Sequence, residues 1–365
     1  MNFELSEEQQ LLQQTVQGFL EDTCPPARVR ERIEGDDSVA RDVWRGLSEI
    51  GLAGVLIPER FGGAGLEVLE AALVAETFGR CAAPAPLLGH TLAGAAIAWA
   101  GSDAQREAWL PRLASGECTA TVAFAEGEQR WLPADWCTSP GPTVTGDKQF
   151  VPVDAWGVDC LVVGTEEGGL ALVDPDGSGV EVEPAPSLDR TRPLAGVSLR
   201  DAHCEPLAHG SEGTAERVCD LALVLLAADA FGGADRCVEM AVDYAKQREQ
   251  FGQTIAHFQS VKHRLADMAA AVEPVRGLYW YAAYAMDHAP EDAARMAALA
   301  KAHISDVFMQ TARDTVEIHG GIGFTWECDV QLWFKRAMYD RAFLGLPSVH
   351  RRRAADLAAW NPLGA

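Results

Sequence analysis

The chain lacks a positive excess: 30 Lys and Arg stand against 53 Asp and Glu, a formal charge of -23 over 365 residues. Such acidity keeps a protein soluble and repels a polyanion, which argues against DNA or RNA as a ligand. No stretch approaches the roughly 18 uncharged apolar residues of a membrane span. The start, Met1-Asn2-Phe3-Glu4, has neither a basic nor an apolar leader, so the expected setting is cytoplasmic. The nine cysteines include no CxxC and no regular spacing, and an odd number cannot pair completely within one chain. They are expected to be reduced. Internal repeats are missing too, and no G-x-G-x-x-G follows a strand.

What is present reads as a globular protein of two to three domains. Ser6-Glu7-Glu8-Gln9 has capping-box form ahead of Leu11, Leu12, Val16, Phe19 and Leu20, which share one helical face until Pro25-Pro26. A second helix carries Val43, Trp44, Leu47 and Ile50 and ends at Gly51. PERFGGAGL (58–66) cannot continue a helix, and the helical period resumes over Glu67–Phe78, then near 87–100 and 103–114. From Cys118 to Pro206 the pattern turns to short β-branched runs: Thr119–Phe124, Cys160–Val163, Leu170–Val173 and Val180–Val182. Long helices follow over Ala215–Arg248, Phe258–Asp287 and Glu291–Ile318, with shorter ones near 329–342 and 348–358.

Two segments suggest chemistry. In REQFGQTIAHFQ (248–259) an Arg at a helix end precedes a Gly-containing turn and a new helix, which places a planar cation beside free N–H groups. The ordinary alternative is a solvated Arg at a helix corner. In HGGIGF (319–324), Gly320, Gly321 and Gly323 follow a helix and permit close backbone approach to a phosphate, or simply a C-cap.

Taken together and in order, the segments resemble the acyl-CoA dehydrogenase family of flavoproteins. PERFGGAGL at 58–66, SDAQREAWLPRLASGE at 102–117, YAKQREQFGQTIAHFQSVKHRLADM at 244–268 and HGGIGFTWE at 319–327 carry the likeness. It implies an α+β multidomain fold: an N-terminal helical domain (1–117), a central β-barrel domain (118–208) and a C-terminal four-helix bundle (209–365). It also implies FAD. In the family, one subunit's helical region clasps the adenine and pyrophosphate of a flavin whose ring lies in the neighbour. By position Arg248 holds the pyrophosphate, Phe251 and Gln259 line the adenosine end, and Gly320 and Gly321 offer close backbone. Glu317 stands where many members have Gln, an acceptor in place of an amide.

The family's reaction removes the α proton of an acyl-CoA with a Glu while hydride passes to the flavin. Of its two usual positions for that Glu, one is Leu344, ahead of Gly345, and the second is Ala222. Asp220 lies two residues from Ala222, about 200° around the helix, and reads as a surface acid. The flavin-ring segments also depart: FAEGEQ (124–129) and KQFVPVDAW (148–156) keep Glu126, Lys148 and Phe150 but lose the family's Thr and Ser hydroxyls, while Trp131, Trp136 and Trp156 can close the space.

A basic cluster, Lys335, Arg336, Arg341 and His350 to Arg353, reads equally as a phosphate contact or as ion pairs to a partner. The expectation is therefore a subunit of an FAD-dependent acyl-CoA dehydrogenase without its own base, paired with a related subunit as in the heterotetramers of some bacterial members that act on steroid side chains. Its partners are an acyl-CoA substrate and an electron-transfer acceptor. The alternatives are a self-sufficient homo-oligomeric enzyme with a displaced carboxylate and a flavin-free structural member.

Overall fold

The computed structural model describes residues 4–127, 130–154, 156–210 and 213–358. Glu128, Gln129 and Ala155 of the expected ring segments, and the Met1-Asn2-Phe3 start, lie outside the described residues. Two compact units form: Met1–Ala27 with Ala72–Ala83 and Leu223–Ala365, and Arg28–Ala71 with Pro84–Ala222.

In the second unit, four helices accompany a six-stranded sheet. The helices are α2 (Pro26–Glu34), α3 (Ser38–Glu49), α5 (Leu87–Ala100) and α6 (Asp103–Ala114). The α2 helix was not foreseen, because Pro25-Pro26 reads as a stop; Pro26 instead opens the helix, where a missing N–H costs nothing. α6 starts on a reciprocal Ser102/Gln105 capping box.

The strands are β1 (Ala120–Ala123), β2 (Thr143–Pro152), β3 (Cys160–Thr165), β4 (Gly169–Val173), β5 (Val180–Ala185) and β6 (Leu194–Pro206). Their order is β1-β3-β4-β6-β2, with β5 also on β6, and only β1–β3 is parallel. The end strands nearly close the sheet: just beyond β1, Ala125 O accepts from Gln149 N of β2 at 2.8 Å. Val144, Leu161, Val163, Val197 and Leu199 fill the interior. β2 and β6, the longest strands, were the ones missed; Gly146, Pro152 and the polar outward positions dilute their alternation.

The first unit is helical: α1 (Glu7–Thr23), the later part of α4 (Val68–Cys81), α7 (Thr214–Gln247) from Leu223 on, α8 (Gln259–Val272), α9 (Arg276–His288), α10 (Pro290–His319), α11 (Val330–Ala342) and α12 (Pro347–Leu357). The single helix expected over Phe258–Asp287 is two, because Pro274 removes a donor and a 3-10 turn, Glu273–Val275, interrupts the ladder. α10 is the hub, packing on α8, α9, α11 and α12. Its Phe308 sits over Gly233 of α7, where a Cβ would come within 2.3 Å of the ring.

Candidate functional site

α7 stops at Gln247, and Arg248 N closes its last turn on Tyr244 O at 2.8 Å. The chain then makes a minimal hairpin of β7 (Glu249–Gln250) and β8 (Gln253–Thr254). At its tip Phe251 (φ 54°) and Gly252 (φ 77°) both have positive φ. A Phe in that region costs roughly 1–2 kcal/mol. Its ring is nonetheless 92% exposed, edge-on to Phe258 at 6.0 Å. A strained aromatic left in water points to a ligand. Arg248 is exposed, and its guanidinium makes no hydrogen bond or ion pair among the described residues. Gln259 is the exposed first residue of α8.

α10 ends at His319, and Gly320 takes φ 64°, ψ -142°, a conformation essentially reserved for glycine. A Cβ added at Gly320 or Gly321 would meet nothing within 4 Å, so this backbone is open, whereas Gly323 is packed against Val316 O. The two segments are tied together: His319 stacks on Tyr244 with ring centroids 4.2 Å apart, and Arg264 of α8 bridges Asp314 and Glu317 of α10, the latter at 2.9 Å. Glu317 is thus already engaged by a cation, which the sequence reading did not foresee. An unpaired guanidinium, an exposed aromatic and bare glycine backbone suit the pyrophosphate and adenine end of a dinucleotide.

The ring segments look different. Lys148 Nζ lies 2.6 Å from Glu126 Oε1 with both side chains buried. Glu126 also accepts from Cys137 N (2.7 Å), Thr138 N (3.0 Å) and Thr138 Oγ1 (2.7 Å). Burial pushes Lys148 down to about 8, with Glu126 opposing. Burial raises the Glu126 carboxyl too, but Lys148 and the hydrogen bonds outweigh it and hold it below its ordinary value. A carboxylate with four donors anchors the fold and is not poised as a base. Beside it, Phe150 (φ 54°) is turned out by a bulge in β2 and stacked on Trp131, centroids 5.3 Å apart. Trp136 is core, 4.9 Å from Phe124 and seated where Gly164 lacks a side chain.

At the two usual base positions the structure has Leu344, 4% exposed, and Ala222, fully buried. Asp220 is not the surface acid expected: it is 5% exposed, because Val218, Cys219 and Leu221 are buried as well and this stretch of α7 has no solvent face. Leu344 (φ 57°) and Gly345 (φ 108°) form a left-handed corner. His350 Nε2 donates to Leu344 O at 2.9 Å, and a Cβ on Gly345 would lie 3.1 Å from that nitrogen. Beneath, the fully buried Lys301 donates to Asp340 O and Arg341 O; burial pushes it down to about 8, with Asp340 opposing. This support was missed in the sequence, though a lone Lys inside the Ala-rich start of α10 was its signal.

The basic cluster is largely consumed within the chain, contrary to both readings offered for it. Arg336 is buried against Asp229 at 3.1 Å and reaches Ala83 O at 3.2 Å. Arg341 and Arg351 share Asp306, the former at 2.7 Å. Lys335 lies 3.9 Å over the Trp326 ring.

The family description "Acyl-CoA dehydrogenase, N-terminal domain" matches residues 6–117, and "Acyl-CoA dehydrogenase, C-terminal domain" matches 215–358. Acyl-CoA dehydrogenase IpdE2 of Mycolicibacterium smegmatis is 35% identical over 350 residues, 96% of this chain and 98% of that one. The chain belongs to the acyl-CoA dehydrogenase family. Acyl-CoA dehydrogenases are flavoprotein oxidoreductases of the CH–CH bond of acyl-CoA thioesters, and the fold is theirs: helical N-terminal part, central β part, helical C-terminal part. Among solved structures, a variant of the "steroid ACAD" Tcur3481-Tcur3483 superposes with TM-score 0.89 at 30% identity, covering 97% of this chain and 98% of that one. The ChsE4-ChsE5 complex from Mycobacterium tuberculosis gives TM-score 0.89 at 26% identity, with full coverage of both chains. No described helix of this acyl-CoA dehydrogenase is long and apolar enough to cross a membrane.

Proposed function

We propose that this chain is the base-free subunit of a two-component FAD-dependent acyl-CoA dehydrogenase. It lends a dinucleotide clasp to a related partner that carries the base and the ring seat. The observation that carries the reading is a contrast within one chain. Arg248, Phe251, Gln259, Gly320 and Gly321 remain open toward a ligand, whereas the two usual base positions, Leu344 and Ala222, are apolar and buried.

In this reading Arg248 donates to the pyrophosphate, Phe251 packs on the adenine end, and the bare backbone of Gly320-Gly321 admits a phosphate oxygen. Glu317, held by Arg264, faces the adenosine as an acceptor. FAD, when bound, supplies the hydride acceptor for the β carbon of the acyl group. The similar ChsE4-ChsE5 complex and the similar steroid enzyme Tcur3481-Tcur3483 support the pairing and make a steroid-derived acyl-CoA the first substrate to try. The setting is cytoplasmic, with electrons passed on to a separate acceptor.

Purified alone, the chain is expected to be colourless and inactive on acyl-CoAs; turnover with stoichiometric flavin in the single chain would remove the proposal. In the assembled complex Arg248→Ala should weaken flavin retention about tenfold or more, the cost of a lost charge-assisted hydrogen bond. Unchanged flavin and activity would leave a structural, flavin-free role. One observation favours a self-sufficient enzyme instead: Asp220 is buried near Ala222. Under that reading Asp220→Asn abolishes turnover of the single chain and leaves its colour.

A further inference from the structure

The two clasp segments leave the ends of two different helices, so their spacing is set by whatever joins those ends. Arg248 follows the last turn of α7, and Gly320 follows the last residue of α10. Tyr244, one turn before Arg248, and His319, next to Gly320, lie face to face with ring centroids 4.2 Å apart and planes 23° from parallel. Both residues are half-buried.

Each ring is also fixed from its own side. Tyr244 O accepts from Arg248 N at 2.8 Å, which couples the residue bearing the ring to the start of the hairpin. His319 Nδ1 lies 2.8 Å from Thr315 O, and because a carbonyl only accepts, Nδ1 carries the proton and the ring is held in one orientation. Burial keeps the imidazole below its ordinary value, with that hydrogen bond opposing, so the ring stacks in its neutral form near pH 7. Thr315 is itself fully buried, and its hydroxyl lies 3.1 Å from Cys237 O of α7, a second point where α10 is docked on α7. The glycine turn closes on the same ring-bearing residue: a Cβ on Gly323 would lie 3.0 Å from His319 Cβ. A pair placed for helix packing alone could sit anywhere along the α7–α10 contact. This one sits at the level where both ligand-facing segments begin.

We propose that Tyr244 and His319 are positioning residues, whose stack holds the Arg248 hairpin and the Gly320 turn in register before a dinucleotide arrives. The inference rests on the dinucleotide reading of the clasp and assigns neither ring a contact with the ligand; both act through Arg248 and the glycine backbone. Without the stack the two helix ends sample other separations, and the apparent affinity falls to the fraction of molecules still in register.

The test is titration of the flavin-depleted two-subunit complex with FAD, read by flavin fluorescence. His319→Ala and Tyr244→Ala should each weaken binding by about fivefold or more, the scale of one aromatic contact. His319→Gln, which keeps a donor near Thr315 O but no ring, should be as weak as His319→Ala. His319→Phe and Tyr244→Phe, which keep the stack, should stay within about twofold of the unaltered complex. Unchanged affinity in His319→Ala or Tyr244→Ala, with Arg248→Ala weakened, would overturn the proposal and leave the clasp standing. His319→Phe as weak as His319→Ala would also overturn it, since the hydrogen bond and not the stack would then be responsible. Unchanged affinity in Arg248→Ala would remove the clasp reading, and the positioning role with it.

Discussion

Two buried imidazoles make the protein sensitive to mild acid. His90 donates through Nε2 to Leu113 O (3.2 Å) and accepts at Nδ1 from Ala120 N (3.4 Å), so a second proton has no place to go. Burial pushes both His90 and His350 down to about 4. The folded state therefore binds fewer protons than the unfolded one between roughly pH 4 and 6.5. Stability falls as pH drops through that window, by up to roughly 1.4 kcal/mol per pH unit for each histidine. Asp154, pushed up to about 6 by burial against the opposing pull of Arg32, acts in the opposite sense and offsets part of one histidine. Urea midpoints should drop between pH 7 and pH 5, and His350→Gln should flatten the slope; a midpoint that rises on acidification contradicts this. The buried Arg336–Asp229 pair gives a second expectation: Asp229→Asn leaves a guanidinium uncompensated and should cost about 3–5 kcal/mol in chemical denaturation, whereas loss below about 1 kcal/mol would show the pair to be dispensable. At this scale the sequence was partly legible. Arg248, Phe251 and Gly320 stand in local patterns whose backbone demands are written in neighbouring residues. Asp220 was misplaced because a surface face can be read only from an amphipathic helix, and this part of α7 is covered on every side.

Helices were easier to place than strands, for a physical reason. A capping box such as Ser6/Gln9 or Ser102/Gln105 is local and complete within four residues. β2 and β6 are defined by their pairing with each other, by a bulge between Lys148 and Val151, and by a third neighbour, β5, none of which leaves a short-range mark. Contacts between helix backbones are equally silent in the sequence. A Cβ on Gly79 of α4 would lie 1.8 Å from Asp229 O of α7, and one on Gly232 of α7 would lie 1.8 Å from Glu76 O of α4. These two glycines let the backbones touch, and the crossing also carries Arg80 to Asp235 at 2.6 Å. Gly232→Ala forces the helices apart and should cost about 3 kcal/mol or more, read as a lower unfolding midpoint. A neutral Gly232→Ala would mean that the crossing yields without strain.

For the whole molecule, the charge balance is uneven in a useful way. Against an overall -23, the basic residues near the C-terminus are largely neutralised by Asp229 and Asp306, which leaves the guanidinium of Arg248 as an exposed cation beside open backbone. The fold of the family was readable from the order of its motifs. The proposed division of labour between subunits rests on missing residues, Leu344 and Ala222 in place of carboxylates, because a partner's contribution would leave no letters in this chain. That division is the central claim, and flavin stoichiometry tests it most directly. The measurement is flavin counted per chain, with acyl-CoA turnover, for this protein alone and for the complex purified with its partner. The account predicts no flavin and no turnover alone, and one flavin with turnover for each pair of unlike chains. One flavin per copy of this chain purified alone, with turnover, would contradict it.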